Sequence, residues 1–369
     1  MTIRRMLLPL LRLLASMHIL VVGLLVLAGL TVWGTLYQVD HGLQAAQDRF
    51  FSSWFVLVGG VLPLPGTKTV LWALALNLLA AFLVRFRYRP SQFGLVVTHL
   101  GLVLYLVGAY VTYHHAEEGQ LTLMEGESGT VAIAPREWEV ALWKEDEKGS
   151  ITVQAIDFTS LVPGKEVAFP TFGVSLRLHE VFPNAALSRR GTAKELRPLP
   201  LTEDPSDNRP GFSALLEGGG AGEQRELLLS AEQGEVPLGE GGQLVAALRQ
   251  RRLPLPFTLT LFDFRKVEHL GTSMARSFES RVTVRSGELE REVLISMNNP
   301  LRHGEYTLFQ SSYGAERDGR ESSTFTVVRN RGKYLPYLAS MVTILGLLLH
   351  FGIMVVRFTR RSKASEVTP

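Results

Sequence analysis

LVVTHLGLVLYLVGAYV, residues 95–111, is uncharged at sixteen of its seventeen positions and interrupted by one imidazole, His99. With its flanks, 93–113, it satisfies the roughly 20 apolar residues that a membrane-crossing helix needs. Its reading therefore decides the class of the protein. It also asks why an ionisable group sits inside a segment built for lipid.

The rest of the chain agrees with a membrane assignment. Hydrophobic residues make up 46% of 369 positions, and they are unevenly spread. Three further apolar runs lie at 13–37, 69–84 and 334–356. The run 69–84 is short, but Lys68 and Arg85 can extend it by snorkelling. Four spans are expected. Arg4, Arg5 and Arg12 precede the first, Arg85, Arg87 and Arg89 fill the link between the second and third, and Arg357, Arg360, Arg361 and Lys363 follow the fourth. Basic residues gather on the cytoplasmic side of short loops. Both termini and the 85–92 link are thus expected in the cytoplasm, in a multi-pass protein of the plasma (inner) membrane, with 114–333 outside. The first span reads as an uncleaved anchor, being too long for a signal-peptide core.

Between the third and fourth spans the periodicity changes from helical to alternating. QLTLMEG, GTVAIAP, WEVALW, SITVQAIDF, GVSLRLHEVF, FTLTLFDF, SRVTVRSG, REVLISM, YTLFQSS and TFTVVRN read as short strands separated by turn residues. RPLPLTEDPSDNRPG and EGGGAGEQ read as polar loops. The expected fold class is an α+β membrane protein: four transmembrane helices, with a large extracytoplasmic all-β sandwich or open barrel between the third and fourth. The expected domains are a membrane region at 1–113, the β domain at 114–333, and a last span with a basic tail at 334–369. Within 1–113, the loop 38–67 carries WFVLVGGVLPLPG, too short to span and broken by Gly and Pro, which reads as interfacial or re-entrant.

Several functions are excluded by composition. The block 114–333 holds 26 basic against 32 acidic residues, a formal charge of −6. The high pI of 9.1 therefore comes from the flanks of the spans, and nucleic-acid binding has no support. Zero cysteines remove disulfides, thiol catalysis and thiolate metal sites. No phosphate-cradling glycine loop, nucleophile elbow or H-E-x-x-H motif is present, and no pair of acids stands out as catalytic.

The histidines carry more information. Of nine, His18, His99 and His350 fall within the expected spans. Counted from those span ends, all three lie roughly 8–9 Å from the cytoplasmic edge. Intramembrane ionisable groups face the bundle interior and mark function, and a neutral imidazole is a strong axial ligand for haem iron. A lone membrane histidine can equally hydrogen-bond a carbonyl or hydroxyl, as His18 can with Ser16 or through a Thr31-bearing neighbour. Beside His99, Gly94, Gly101 and Gly108 recur every seventh residue and admit a close approach by a planar ligand or another helix. His114 and His115 read as interfacial anchors, and His179, His269 and His303 have no metal-ligand spacing.

In its ordered motifs the chain resembles the ResB (CcsB) family of cytochrome c biogenesis proteins. LLASMHILVVGLLVLAGLTVWGT is similar to the family's first span, FSSWFVLV with LWALALNLLAAFLVRF to its second segment including Asn77, and THLGLVLYLVGAYV then GQLTLMEGES to its third span and first external strand. PFTLTLFDFRKVEHLGTSMARSFESRVTVRSG and NNPLRHGEYTLFQSSYG carry the closest likeness, whereas roughly 185–245 carries little.

The resemblance implies a subunit of a System II cytochrome c synthase. Such a subunit acts with a CcsA-type partner to move haem b outward for attachment to apocytochrome c. It implies that His99, matching the family's third-span histidine, ligates the iron. His18 and His350 have no such match and stay candidates from the residues alone. The tryptophan-rich haem segment of the partner is absent, so the chain is expected to be non-catalytic by itself. The alternatives are a bis-histidine membrane cytochrome b, or a membrane-tethered β docking module without haem. Orientation is directly testable: alkaline-phosphatase fusions after Tyr113 should be active and fusions after Arg361 inactive, and the reverse pattern would overturn it.

Overall fold

A computed structural model of the protein describes residues 2–85, 89–146, 148–190, 193–202, 204–218, 225–238, 244–269, 271, 275–315 and 320–366. Arg87 and residues 219–224 of the glycine-rich loop lie outside the described residues, as do the side chains of Arg4, Arg5, Arg361 and Lys363. The chain divides into two units, residues 1–117 with 329–369, and residues 118–328.

The first unit is helical: α1 (Thr2–Leu14), α2 (Met17–Ala46), α3 (Thr67–Val84), α4 (Phe93–His115) and α5 (Leu335–Glu366), with a small hairpin of β1 (Phe55–Val58) and β2 (Leu62–Pro65). Four stretches are long and apolar enough to cross a membrane: Leu8–Phe51, Thr67–Val84, Pro90–His115 and Leu335–Arg360. Their number matches the expectation; the first one's boundaries do not. The apolar run 13–37 is not one helix. Helix α1 stops at Leu14, and Ser16 caps α2, its hydroxyl accepting the His18 N–H at 3.2 Å. From there α2 continues to Ala46, bending at Gly42, whose φ of 81° costs a glycine little. The expected loop 38–67 is correspondingly short. It is a π turn at Gln47–Phe51 followed by the β1–β2 hairpin, turned through Gly59 and Gly60, both at positive φ.

A helix break inside an apolar run leaves carbonyls without partners, and in hydrocarbon each such group costs several kcal/mol. Helix α3 satisfies them. Asn77, buried within it, donates its amide to the Leu14 carbonyl at 2.5 Å and to the Ser16 carbonyl at 2.9 Å. Arg85 donates to the intervening Ala15 carbonyl at 3.0 Å.

Helices α4 and α5 pair through a seam without bulk. The buried residues of α4 are Gly94, Thr98, Gly101 and Gly108, a spacing of three and four that lines one face. A Cβ on Gly94 would overlap the backbone of His350 and the Gly346 carbonyl, and one on Gly101 would overlap Thr343. In return, a Cβ on Gly346 would overlap Thr98. The seven-residue glycine repeat thus admits a second helix. Seam hydroxyls bond to their own helices, Thr98 to Gly94 O at 3.0 Å and Thr343 to Ala339 O at 2.8 Å, and Tyr105 bonds to Ser340 across it.

The second unit is all β. Its strands are β3 (Glu117–Met124), β4 (Ser128–Glu145), β5 (Ile151–Asp157), β6 (Glu166–Phe169), β7 (Val174–Phe182), β8 (Ala185–Arg190), β9 (Ala193–Pro198), β10 (Gly211–Gly218), β11 (Arg225–Ser230), β12 (Val236–Leu238), β13 (Leu244–Glu268), β14 (Ala275–Ser286), β15 (Leu289–Ser296), β16 (Leu301–His303), β17 (Tyr306–Ala315) and β18 (Glu321–Arg329). Among the described residues, ten form one sheet in the order β15-β14-β13-β4-β3-β18-β17-β16, with β12 on β13 and β5 on β4. Four more form a second sheet, β11-β10-β7-β6, and β8–β9 is a separate hairpin.

Two cores explain why sandwich and barrel both suit the sequence. In the first, Val140, Leu142, Ala246 and Leu248 of the large sheet face Leu176, Leu178, Phe212 and Leu229 of the small one. In the second, Leu123, Phe257, Leu259, Val282, Ile295, Leu308 and Phe325 all come from the large sheet, which curls over its own inner face. The alternation of each strand supplies one buried row. The first and last strands, β3 and β18, are neighbours, with the Thr122 and Thr324 hydroxyls 2.9 Å apart.

The glycine seam can be tested because the chain has no cysteine of its own. Cysteines replacing Tyr105 and Ser340 should cross-link readily. Adding Gly101→Leu, an overpacking costing about 1–3 kcal/mol, should abolish the cross-link. Persistence of the cross-link would show that the seam tolerates bulk.

Candidate functional site

The three membrane histidines occupy three different settings. His99 lies in α4, partly buried, and its Nδ1 donates to the Leu95 carbonyl one turn back at 2.9 Å. A carbonyl can only accept, so the proton resides on Nδ1 and the neutral ring carries its lone pair on Nε2. His41, His114 and His115 make the same bond, to Tyr37, Tyr110 and Val111 at 3.2, 3.0 and 3.2 Å. The bond fixes the tautomer of a helical histidine wherever it occurs; position along the span distinguishes His99.

At 100° per residue, Gly94, Gly101 and Gly108 lie about 180–220° around α4 from His99, while Leu106 and Tyr110 share its face to within about 20°. His99 therefore faces away from the α5 seam. Tyr110, on the same face, is 52% exposed.

His350 stands in the opposite situation. Its backbone lies against Gly94, and its ring contacts Phe351 at 5.7 Å. Its Nδ1 is buried without a hydrogen-bond partner. The carbonyl that His99 enjoys one turn back is, for His350, that of Gly346, which packs against Gly94.

His18 is the second residue of α2 and exposed, with its Nδ1 3.2 Å from the Ser16 hydroxyl. It lines one end of an apolar cleft of about 390 Å³ between α2 and α3, with Val22, Val26, Val70 and Leu74. Its depth, reckoned from Leu13, assumed a continuous helix that the break at Ala15–Ser16 interrupts. Among the described residues, no three His, Asp or Glu side chains converge as a metal-binding group. The structure pairs α4 with α5 but brings none of the three imidazoles against another.

The strands nearest the sequence motifs hold a polar network instead. Ser280 of β14 and Ser323 of β18 are fully buried, their hydroxyls 2.9 Å apart. Gln310 of β17 accepts from Ser280 at 2.6 Å and donates to Ser323 at 2.8 Å and to the Ser312 carbonyl at 3.1 Å. Three strands are thereby locked through one amide. Tyr313 stacks on Phe264 and Phe278 at centroid distances of 5.5 and 4.8 Å. In NNPLRHG, Asn299 closes the turn by donating to the Leu294 carbonyl at 3.1 Å, and Leu301 is buried.

Residues 228–321 match the ResB-like family. That segment is ResB-like. Over 345 residues, 91% of its length, it is also 25% identical to Protein NrfI of Wolinella succinogenes. It spans about a third of that relative's length, 34%. The ResB-like segment contains Gln310, Ser280, Asn299 and the aromatic stack, while all three candidate histidines lie outside it.

The sequence signals missed here are polar residues that serve other polar residues. Asn77 was visible as an amide amid leucines, and Gln310 as part of QSSY, but their partners at Leu14, Ser16, Ser280 and Ser323 are remote in sequence. Replacing Gln310 by Leu strands two buried hydroxyls at about 1–3 kcal/mol each. The melting temperature of the intact chain should fall by about 5 °C or more, measured by scanning fluorimetry in detergent. An unchanged melting temperature would refute the locking role.

Proposed function

We propose that this chain acts in cytochrome c biogenesis as a membrane subunit handling haem as cargo, with His99 the residue that ligates its iron. The observation that carries the reading is His99 itself: an imidazole within α4 whose Nδ1–H is committed to the Leu95 carbonyl, so that Nε2 holds the lone pair. That donor suits haem iron, and hydrogen bonding at the far nitrogen both orients the ring and raises its basicity. Two supports stand beside it. The family match and the likeness to Protein NrfI fit the assembly role. The face of α4 carrying His99 lies opposite the glycine seam, which suits a second ligand arriving from another protein.

On this reading the partner is a CcsA-type membrane protein that supplies that second ligand, and the product is delivered to apocytochrome c. The chain's own contributions are to hold the imidazole in one tautomer and to seat α4 firmly through α5, with His99 on the helix face opposite that seam. On this reading the termini lie in the cytoplasm and the β unit outside, where the cytochrome would be matured, and the charge of the basic flanks supports that orientation. His350 and His18 take no assigned part: the first sits against the seam and the second bonds to Ser16.

Replacing His99 with Ala removes the nitrogen and little packing. Protein level in the membrane should hold, while haem absorbance of the purified chain and holocytochrome c in cells should fall at least tenfold. In His99→Gly, added imidazole should restore part of the haem absorbance, which loss of a merely structural histidine would not allow. Full haem content and full cytochrome c assembly in His99→Ala would remove the proposal.

A further inference from the structure

A second region of the β unit combines an open strand flank with a concentration of positive charge. Strand β13 pairs with β4 along one flank, Leu244 to Lys144 through Pro254 to Val131. Its other flank carries β12 as far as Ala246 and β14 from Thr258 onward. From Ala247 to Phe257 that flank has no ladder partner among the described residues. Unpaired flanks invite another strand.

Beside this gap lies a cleft of about 350 Å³, closed on one side by the turn at 231–235 and lined by two tryptophans and three arginines. The arginines are held in place. Arg249 bonds to Glu139 at 2.9 Å and lies 5.3 Å over the Trp143 ring. Arg209 donates to the Ser206 carbonyl at 2.8 Å and lies 5.8 Å over Trp138. Arg252 is exposed at the rim. Burial first, then the nearby charge of Arg252, depresses the pKa of Arg249, against which the Glu139 hydrogen bond works. The cleft contains one further acid, Glu235. Among the described residues, Arg209 and Arg252 have no carboxylate partner. Two guanidiniums are therefore uncompensated beside backbone groups that can pair.

We propose that the flank of β13 from Ala247 to Leu253 is a docking site for an extended acidic segment of a partner protein, which adds as a strand and places its carboxylates against Arg209 and Arg252. Strand addition supplies main-chain hydrogen bonds, and side-chain pockets supply selectivity. The arginines give the selectivity a sign: they repel basic strands, the repulsive half of specificity, and they favour carboxylates through bidentate hydrogen bonds. Because the tryptophan faces are already covered by Arg209 and Arg249, the cleft offers guanidinium edges in preference to bare rings. The proposal is independent of haem and of His99.

The test uses the purified full chain in detergent and a fluorescent octapeptide of alternating Glu and Val. Binding should be saturable and at least tenfold tighter than for the matching Lys–Val peptide. The double variant Arg209→Glu with Arg252→Glu should weaken it tenfold or more. A Glu–Val peptide N-methylated at every second residue, lacking donors along one edge, should bind at least tenfold more weakly. In the unaltered chain, amide hydrogen exchange within 247–253 should slow when the peptide is bound, a readout that does not depend on a variant folding. Equal binding of the N-methylated peptide would overturn strand addition. Equal binding of the Lys–Val peptide, unchanged exchange at 247–253, or full displacement by millimolar succinate would overturn the acidic-segment assignment.

Discussion

The contact on which the membrane unit depends is that of backbone against backbone between α4 and α5. Lipid tails are as apolar as leucine side chains, so burying leucines between helices gains nothing in a membrane; close packing and hydrogen bonds must do the work. Gly94, Gly101, Gly108 and Gly346 remove the side chains that would hold the axes apart. The same two stretches of chain pair again in the β unit, where β3 follows α4 in sequence, β18 precedes α5, and the two strands are neighbours. Residues on either side of a long insertion thus recognise each other twice, once through helices and once through strands. A chain whose ends are fixed in this way needs no disulfide to close the loop between them.

A second constraint follows from breaking a helix in an apolar run. Between Leu14 and Ser16 three successive carbonyls lie at the break, and α3 with its capping residue directs donors to all three through Asn77 and Arg85. This explains an amide in the middle of an otherwise apolar helix without invoking any ligand. Gln310 plays the matching role among strands, where its one amide meets two buried hydroxyls and a carbonyl. In both places a polar side chain is retained because other polar groups are buried with it, and removing it would expose them to an environment with no water to replace it.

Much of the architecture was legible in the sequence because it rests on periodicity. Apolar runs near the membrane thickness located four spans, and alternating strands located the β unit, since both signals are repeated over many residues. The seven-residue glycine repeat was also visible, though whether it served a helix or a ligand was not. What could not be read depends on single residues acting at a distance. The break at Ala15–Ser16 hides inside a continuous apolar run, because hydropathy records composition and not hydrogen bonding. The extension of α2 to Ala46 passes through Gly42, whose positive φ has no signature beyond the residue itself. The depth of His18 was reckoned from Leu13 along a helix taken as continuous through Ala15–Ser16, whereas that of His99 was reckoned from Phe93, where α4 starts.

The settings of His99 and His350 show why a buried imidazole cannot be judged by burial alone. A neutral histidine has one donor and one acceptor, and in a helix the donor is readily satisfied by the carbonyl one turn back. For His99 that bond forms, which puts the ring's acceptor lone pair on Nε2, on the side of α4 away from the seam. For His350 the corresponding carbonyl is taken into the contact with Gly94, and Nδ1 is left buried and unpaired. An unpaired buried nitrogen costs about 1–3 kcal/mol, a penalty set against the gain from the close approach at Gly94. The orphaned nitrogen is thus accounted for by helix packing, and the well-bonded one has the electronic arrangement a metal requires. In this fold the more comfortable histidine is the better candidate ligand, since coordination needs a ring held still in one tautomer.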